Sequence, residues 1–175
     1  MSFSNITRSS PVQVLVVCGV SGSGKTTVAR ALAKELDCPF LEGDDYHPQS
    51  NLEKMRAGLP LENSDRTFWL KRICEDLNKT TNLKVLSCSA LNLYVQEYLN
   101  TNARDQIVWI KLNVTKACAE RRMKNRNHFM PAALLDSQFK AWSPPQGGLD
   151  LDADQTIETI VDHVLEKLVS ILRDS

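Results

Sequence analysis

The stretch Gly19-Val-Ser-Gly-Ser-Gly-Lys25-Thr26 decides the fold of this chain, because it matches the phosphate-binding pattern G-x-x-x-x-G-K-[ST] at every fixed position. A short valine-rich apolar run at residues 12–18 precedes it, and residues 27–36 follow with apolar side chains at helical spacing. The pattern requires this order of strand, loop and helix, since backbone N–H groups of the loop and the helix N-terminus together hold phosphate. The segment therefore predicts a binding site for a nucleoside triphosphate.

The residue types of the loop have distinct predicted tasks. Lys25 is expected to reach the β- and γ-phosphates, and the Thr26 hydroxyl is expected to ligate Mg²⁺. The other residues assigned to nucleotide binding are Gly19, Ser21, Gly22, Ser23, Gly24 and Thr27. ATP and Mg²⁺ are the expected cofactors.

Composition restricts the class of protein. The 175 residues fit a single domain, and 21 Lys and Arg residues balance 21 Asp and Glu residues. A chain without net charge has no general attraction for nucleic acids or membrane surfaces, and no apolar stretch approaches a membrane span.

The five cysteines are scattered without a C-x-x-C pair, which indicates reduced thiols, mostly in the core, of a cytoplasmic protein. The expected partner is a small-molecule substrate, and residues 1–10 are expected to form a flexible tail.

Apolar runs predict strands at residues 12–18, 39–41, 84–88 and 106–112, with a short fifth strand near 149–151. Helical patterns lie between them, and the clearest, from Ile157 to Leu172, repeats apolar residues every three or four positions. Strands that alternate with helices indicate an α/β fold with a parallel sheet covered on both faces. Ligands should therefore gather at the carboxyl ends of the strands.

An acidic segment, Leu41-Glu-Gly-Asp-Asp-Tyr-His-Pro48, follows the second predicted strand. The third strand ends in Ser-Cys-Ser without a carboxylate, so the acidic group of a phosphoryl-transfer site must come from elsewhere. We assign Asp44 to orient or deprotonate the attacking hydroxyl, and Glu42 to bind magnesium through water. The alternative is that these acids solvate a loop and cap the next helix, which applies most readily to Asp45.

Seven motifs occur in one order along the chain: GVSGSGKT, GDDYHP, N-x-x-KM-x-x-G-x-PL (51–61), DR-x-x-WL (65–70), SCSAL (87–91), HFM (128–130) and LL-x-SQF (134–139). Together they resemble the gluconate kinase family. The resemblance implies a fold like that of nucleoside monophosphate and shikimate kinases, a three-layer sandwich with five parallel strands and a helical lid near 122–141. It also implies ATP- and Mg²⁺-dependent phosphorylation of D-gluconate to 6-phospho-D-gluconate, and a homodimer.

A sugar acid requires hydroxyl partners and a cation. His47, Arg56 and Arg66 lie near the acidic segment in sequence and are assigned to the substrate. Of these, Arg66 is favoured for contact with the substrate or the phosphate. The alternative is that Arg66 makes a surface ion pair with Asp65. Trp69 is expected in the core.

The basic run at residues 121–128 falls where such kinases carry the lid. Arg122 and Arg126 are assigned to ATP phosphates, Arg122 also to catalysis, and His128 to the substrate; a solvated helix face is the alternative.

Two positions depart from the family pattern. Asn92 and Gln96 stand where the family carries a lysine and an arginine, and residues 85–103 contain neither. An amide keeps hydrogen bonding but loses the stronger, charge-assisted bonds to an anion. A kinase for a different sugar acid or polyol and a catalytically silent nucleotide-binding regulator therefore remain as alternatives.

Overall fold

The computed structural model describes residues 12–124 and 133–173, where strands and helices alternate. The strands are β1 (Val12–Cys18), β2 (Phe40–Glu42), β3 (Lys84–Ser87), β4 (Gln106–Asn113) and β5 (Leu149–Asp152). The helices are α1 (Lys25–Glu35), α2 (Gln49–Arg56), α3 (Asn63–Leu77), α4 (Leu93–Asn102), α5 (Lys116–Lys124), α6 (Ala133–Ala141) and α7 (Ile157–Arg173). A 3₁₀ turn at Gly43–Tyr46 connects β2 to α2.

All the strand pairs are parallel and the order is β2-β3-β1-β4-β5, which confirms the predicted sheet. β2 begins one residue later than predicted, because Pro39 has no N–H for the ladder and contributes only its carbonyl, which accepts from Val85 N at 2.9 Å. The chain leaves β1 at the centre of the sheet, where its neighbours β3 and β4 lie on opposite sides. The crevice at the carboxyl end of β1, between the connections to the two sides of the sheet, is where a doubly wound sheet binds ligands.

The core forms two layers, one on each face of the sheet. Residues 14–18 of β1 are fully buried, with Leu15 and Val17 in one layer and Val14 and Val16 in the other. Helices α1 and α7 cover the first face, and α3 and α4 cover the second. The helix predicted from residue 157 onward is confirmed, and Ile157 itself is partly exposed at its first turn. Four of the five cysteines are buried, as expected.

The predicted lid region is described in part. Helix α5 ends at Lys124 and α6 begins at Ala133, where Leu135 is completely buried against Ala119 and Met123. Residues 125–132 and the predicted tail at 1–10 lie outside the described residues. No helix within the described ranges is long and apolar enough to cross a membrane.

Candidate active site

The glycine loop between β1 and α1 is held close to two other backbone segments. Gly22 has φ +79°, and a Cβ placed there would lie 2.6 Å from the carbonyl oxygen of Ala119 in α5. A Cβ on Gly19 would lie 2.7 Å from the carbonyl oxygen of Leu112 in β4. Glycine is required at both positions by close backbone approach and by a positive φ, which is +146° at Gly19.

Lys25 is the first residue of α1, and its side chain is half-buried at the loop. Nζ donates to the carbonyl oxygen of Val20 at 3.0 Å. Burial lowers the pKa of Lys25, and the carboxylates of Asp44 and Glu42 oppose that effect. The structure therefore places a cation inside the loop, with its two acidic neighbours on the β2 side.

The hydroxyl of Ser23 supports the fit of a phosphate group to this loop. Ser23 is almost completely buried, and its Oγ has no hydrogen-bond partner among the described residues. Buried polar groups are nearly always paired, so an orphan hydroxyl indicates a missing ligand. The loop, its half-buried lysine and this hydroxyl together suit an anion with several oxygens.

Thr26, Glu42 and Ser87 converge beside the loop. The Thr26 and Ser87 hydroxyl oxygens lie 3.5 Å apart, and the strand register pairs Glu42 with Ser87. Burial raises the pKa of Glu42, whereas hydrogen bonds from both hydroxyls lower it. Oxygen donors of this kind suit Mg²⁺, which commonly keeps several waters and takes few protein ligands. Within the described ranges no group of three His, Cys, Asp or Glu side chains forms a dedicated metal cage.

A cavity of about 290 Å³ extends from the loop to helices α2, α3 and α6. Its charged and titratable lining residues are Lys25, Asp44, His47 and Arg66. Other polar residues in the lining are Ser21, Ser89, Asn92, Ser137 and Gln138, and apolar ones are Met55, Leu59, Pro60, Leu61, Leu91, Val95, Leu134 and Ala141. Asp45 is exposed and outside this lining, consistent with the solvation alternative.

His47 lies flat against Trp69, with ring centroids 4.5 Å apart and planes inclined by 12°. Burial lowers the pKa of His47 to about 4, although Asp44 acts to raise it. Trp69 is buried in the core, as expected, and Nε1 donates to the carbonyl oxygen of Gly43 at 2.6 Å. It also lines the cavity, so one side chain supports both the core and the site.

Arg66 lies in the first turn of α3 and reaches the cavity, while Nη1 donates to Asn63 Oδ1 at 3.0 Å. Asp65 makes its ion pair with Lys54 at 2.7 Å and accepts from the N–H of Glu62, so it is engaged elsewhere. Arg56 is exposed at the end of α2 and does not line the cavity. The structure therefore does not place Arg56 among the cavity residues, where the sequence predicted that it would contact the substrate.

Arg122 contacts the backbone of the loop and does not line the cavity. Nη1 lies 3.5 Å from the Gly22 carbonyl oxygen and 3.4 Å from that of Ser23, and Nη2 donates to Ala153 O at 2.7 Å. The guanidinium thus joins the phosphate loop to the segment after β5. Arg126 and His128 lie outside the described residues.

Gln138 on α6 was not singled out from the sequence. Its Oε1 accepts from the N–H of Ser21 at 2.7 Å, which connects the phosphate loop to a helix 117 residues away. The only sequence signal was its place in the LL-x-SQF motif.

The two amides at the family's cation positions have local structural partners. Asn92 caps α4 by accepting from Val95 N at 3.2 Å, and it also lines the cavity. Gln96 is buried, and Nε2 donates to Ala90 O at 2.9 Å and Ser143 O at 2.6 Å. Of the residues with defined placement, Lys25 and Arg66 are the cations that line the cavity.

The sheet, the loop and the adjoining cavity together define a phosphate-loop kinase of small molecules. A family model described as an AAA domain matches residues 14–145. A gluconokinase of Gluconobacter oxydans is 43% identical over 160 residues, covering 89% of this chain and 88% of its own length. A probable gluconokinase of Dictyostelium discoideum is 37% identical over 171 residues, covering 89% and 86%. The chain belongs to the gluconokinase family.

Solved structures agree with this placement. The crystal structure of a gluconokinase from Sinorhizobium meliloti superposes with a TM-score of 0.83 at 36% identity, covering 94% of this chain and 95% of that one. A shikimate kinase from Aquifex aeolicus superposes with a TM-score of 0.59 at 20% identity, which shows the shared fold alone.

Proposed function

We propose that this protein transfers the γ-phosphoryl group of ATP to D-gluconate and forms 6-phospho-D-gluconate and ADP. One observation carries the proposal: a single cavity connects Lys25 of the phosphate loop with Asp44, His47 and Arg66. The acceptor hydroxyl oxygen forms the new bond to phosphorus, the bond to the oxygen bridging the β- and γ-phosphorus atoms breaks, and ADP leaves. Family membership supports gluconate as the acceptor.

The nucleotide half of the reaction rests on positioning and charge. Backbone N–H groups of the phosphate loop bind the phosphates, Ser23 Oγ supplies a further donor, and Lys25 balances the negative charge. Mg²⁺, when bound, offsets the charge on the phosphate oxygens. Thr26 would hold it directly and Glu42 through water.

The acceptor half begins at Asp44, which lines the cavity with Lys25 and acts on its charge. A carboxylate there can orient the attacking hydroxyl and accept its proton as the bond to phosphorus forms. Arg66 offers a guanidinium to the substrate carboxylate, the pairing with the best geometry for that group. His47 is neutral at pH 7, because burial lowers its pKa to about 4, so it serves as a hydrogen-bonding group for the substrate.

We propose that the chain acts as one kinase domain whose 122–141 region closes over the bound substrates. In this proposal Arg122 and Arg126 secure the nucleotide, and His128 approaches the sugar acid. Arg122 already contacts the carbonyls of the loop, which supports a role at its nucleotide side. We also propose that the protein forms a homodimer and that it is cytoplasmic. The scattered, unpaired cysteines support the cytoplasmic location, because thiols stay reduced in that compartment.

The test is ADP release from Mg-ATP with and without D-gluconate, coupled to 6-phosphogluconate dehydrogenase so that the product is identified by its NADPH signal. We expect both signals to depend on gluconate and to disappear in Lys25→Ala. Lys34→Ala is the matched control, because Lys34 is exposed on the same helix. ADP release without NADPH would mean transfer to water or to a different hydroxyl of gluconate and would contradict the proposed product, and ATP binding without turnover would overturn the kinase assignment.

A further inference from the structure

Asn51 is a buried polar residue on α2, behind the wall of the cavity. Only 2% of its surface is exposed, and its amide nitrogen makes two contacts. Nδ2 donates to the carbonyl oxygen of Asp65 at 2.9 Å and lies 3.2 Å from Nδ1 of His47. A buried side chain in that position determines how the neighbouring imidazole can be protonated.

The first contact fixes the orientation of the amide. A backbone carbonyl can only accept a hydrogen bond, so the Asn51 atom that faces Asp65 O must be the NH₂ nitrogen rather than the oxygen. The same nitrogen faces His47 Nδ1, and an amide nitrogen can only donate. Nδ1 must therefore be an unprotonated acceptor, and the ring proton of a neutral His47 must reside on Nε2.

We propose that Asn51 is a positioning residue that holds His47 as the neutral Nε2–H tautomer, so that this ring donates a hydrogen bond to a hydroxyl or carboxylate oxygen of the substrate. This inference rests on the proposed function for the identity of the substrate. The stack on Trp69 fixes the plane of the ring, and Asn51 fixes which nitrogen carries the proton. Two constraints from two different helices thus define a directional donor.

The chemistry of the acceptor follows from this arrangement. The N–H of a neutral His47 ring can donate to a substrate oxygen, which has a free lone pair. An ammonium or alkyl group of the substrate at the same place could not accept that hydrogen bond. Asp44 and Arg66, the charged groups that face His47, favour and oppose ring protonation respectively. Burial keeps the pKa of His47 low, so the neutral form persists at pH 7.

Nitrogen NMR of the ¹⁵N-histidine-labelled protein measures the tautomer directly, because a ring nitrogen that carries a proton differs strongly in chemical shift from one that does not. The chain has only three histidines, and the signals lost in His47→Gln identify those of His47. We expect a protonated Nε2 and an unprotonated Nδ1 at neutral pH. A protonated Nδ1, in the other tautomer or in the cation, would overturn the proposal.

Asn51→Asp replaces the donor by an acceptor of nearly the same shape. Gln49→Glu makes the same chemical change at an exposed position of the same helix and is the matched control. We expect Asn51→Asp to move a proton onto Nδ1 and raise the KM for gluconate on the order of tenfold, with the KM for ATP unchanged. Unchanged nitrogen shifts and an unchanged KM would contradict the positioning role.

The two readouts separate the two hypotheses. The NMR experiment uses the wild-type protein without substrate, so it tests the tautomer even if Asn51→Asp fails to fold. An Nε2–H tautomer in a protein that does not turn over gluconate would support the inference about Asn51 and overturn the proposed acceptor alone.

Discussion

Replacing Gly22 by alanine tests whether close packing of the phosphate loop against α5 requires glycine. The added Cβ would lie 2.6 Å from Ala119 O, 2.9 Å from its Cα and 3.0 Å from its carbonyl carbon. All three atoms belong to backbone, so no side-chain rotation can relieve the overlap. The loop or the helix must move.

Gly58 provides a control for the backbone conformation. Its φ of +75° is close to the +79° of Gly22, but a Cβ there would meet nothing within 4 Å. Gly58→Ala should therefore cost only the left-handed strain, about 1–2 kcal/mol. Gly22→Ala should cost that amount plus about 1–3 kcal/mol for overpacking.

Thermal unfolding of the two variants measures the difference. At roughly 2–4 °C per kcal/mol for a chain of this size, Gly58→Ala should lower Tm by about 2–8 °C, and Gly22→Ala by about 2–12 °C more. The KM for ATP should also rise in Gly22→Ala, because the displaced loop carries the phosphate-binding N–H groups. Equal Tm values for the two variants would refute the packing argument.

Three further predictions concern charge and hydrogen bonding. Lys25→Ala should lower kcat about a hundredfold or more with the fold retained, and near-normal turnover would remove the phosphate-loop assignment. Protonation of His47 should destabilise the fold: the unfolded ring binds a proton below about 6.5 but the folded ring only below about 4, so the free energy of unfolding should fall as pH falls through that window. Denaturant titrations between pH 4 and 6.5 should show that the free energy of unfolding depends less steeply on pH in His47→Gln than in the wild type. Equal pH dependences in the two proteins would contradict this prediction. Gln96→Leu should cost about 1–3 kcal/mol, because the buried carbonyl of Ala90 loses a donor, and a Tm matching that of the exposed control Gln49→Leu would contradict this role.

The sheet and the loop could be predicted because their signals are local. Residues 14–18 of β1 are buried on both faces, so they form an uninterrupted apolar run, and the glycine pattern follows them directly. The ends of the strands depend on hydrogen bonding as well as hydrophobicity, as Pro39 shows: its apolar ring suits a strand, but it has no N–H, so the ladder starts one residue later. Asp44 and Glu42 could be chosen by elimination, because β3 ends without a carboxylate.

The remaining parts of the site depend on contacts that no local pattern reveals. Arg56 is near the acidic segment in sequence, yet Met55 beside it is buried, and a helix turns each successive residue about 100° away. Gln138 meets Ser21 across 117 residues, which only the folded chain brings together. Asn51 belongs to a sequence motif that does not reveal its role, which follows only from the contacts of its amide with His47 and Asp65.

The substitution Asp44→Asn gives the most direct test of the central claim, that phosphoryl transfer occurs in the cavity lined by Lys25 and Asp44. The amide keeps the size of the side chain but cannot accept the proton of the attacking hydroxyl. Steady-state kinetics with Mg-ATP and D-gluconate should show kcat reduced by about 10²- to 10⁴-fold, with the KM for gluconate changed only a few-fold. An unchanged kcat with a raised KM would contradict the claim, because Asp44 would then bind substrate without taking part in the transfer.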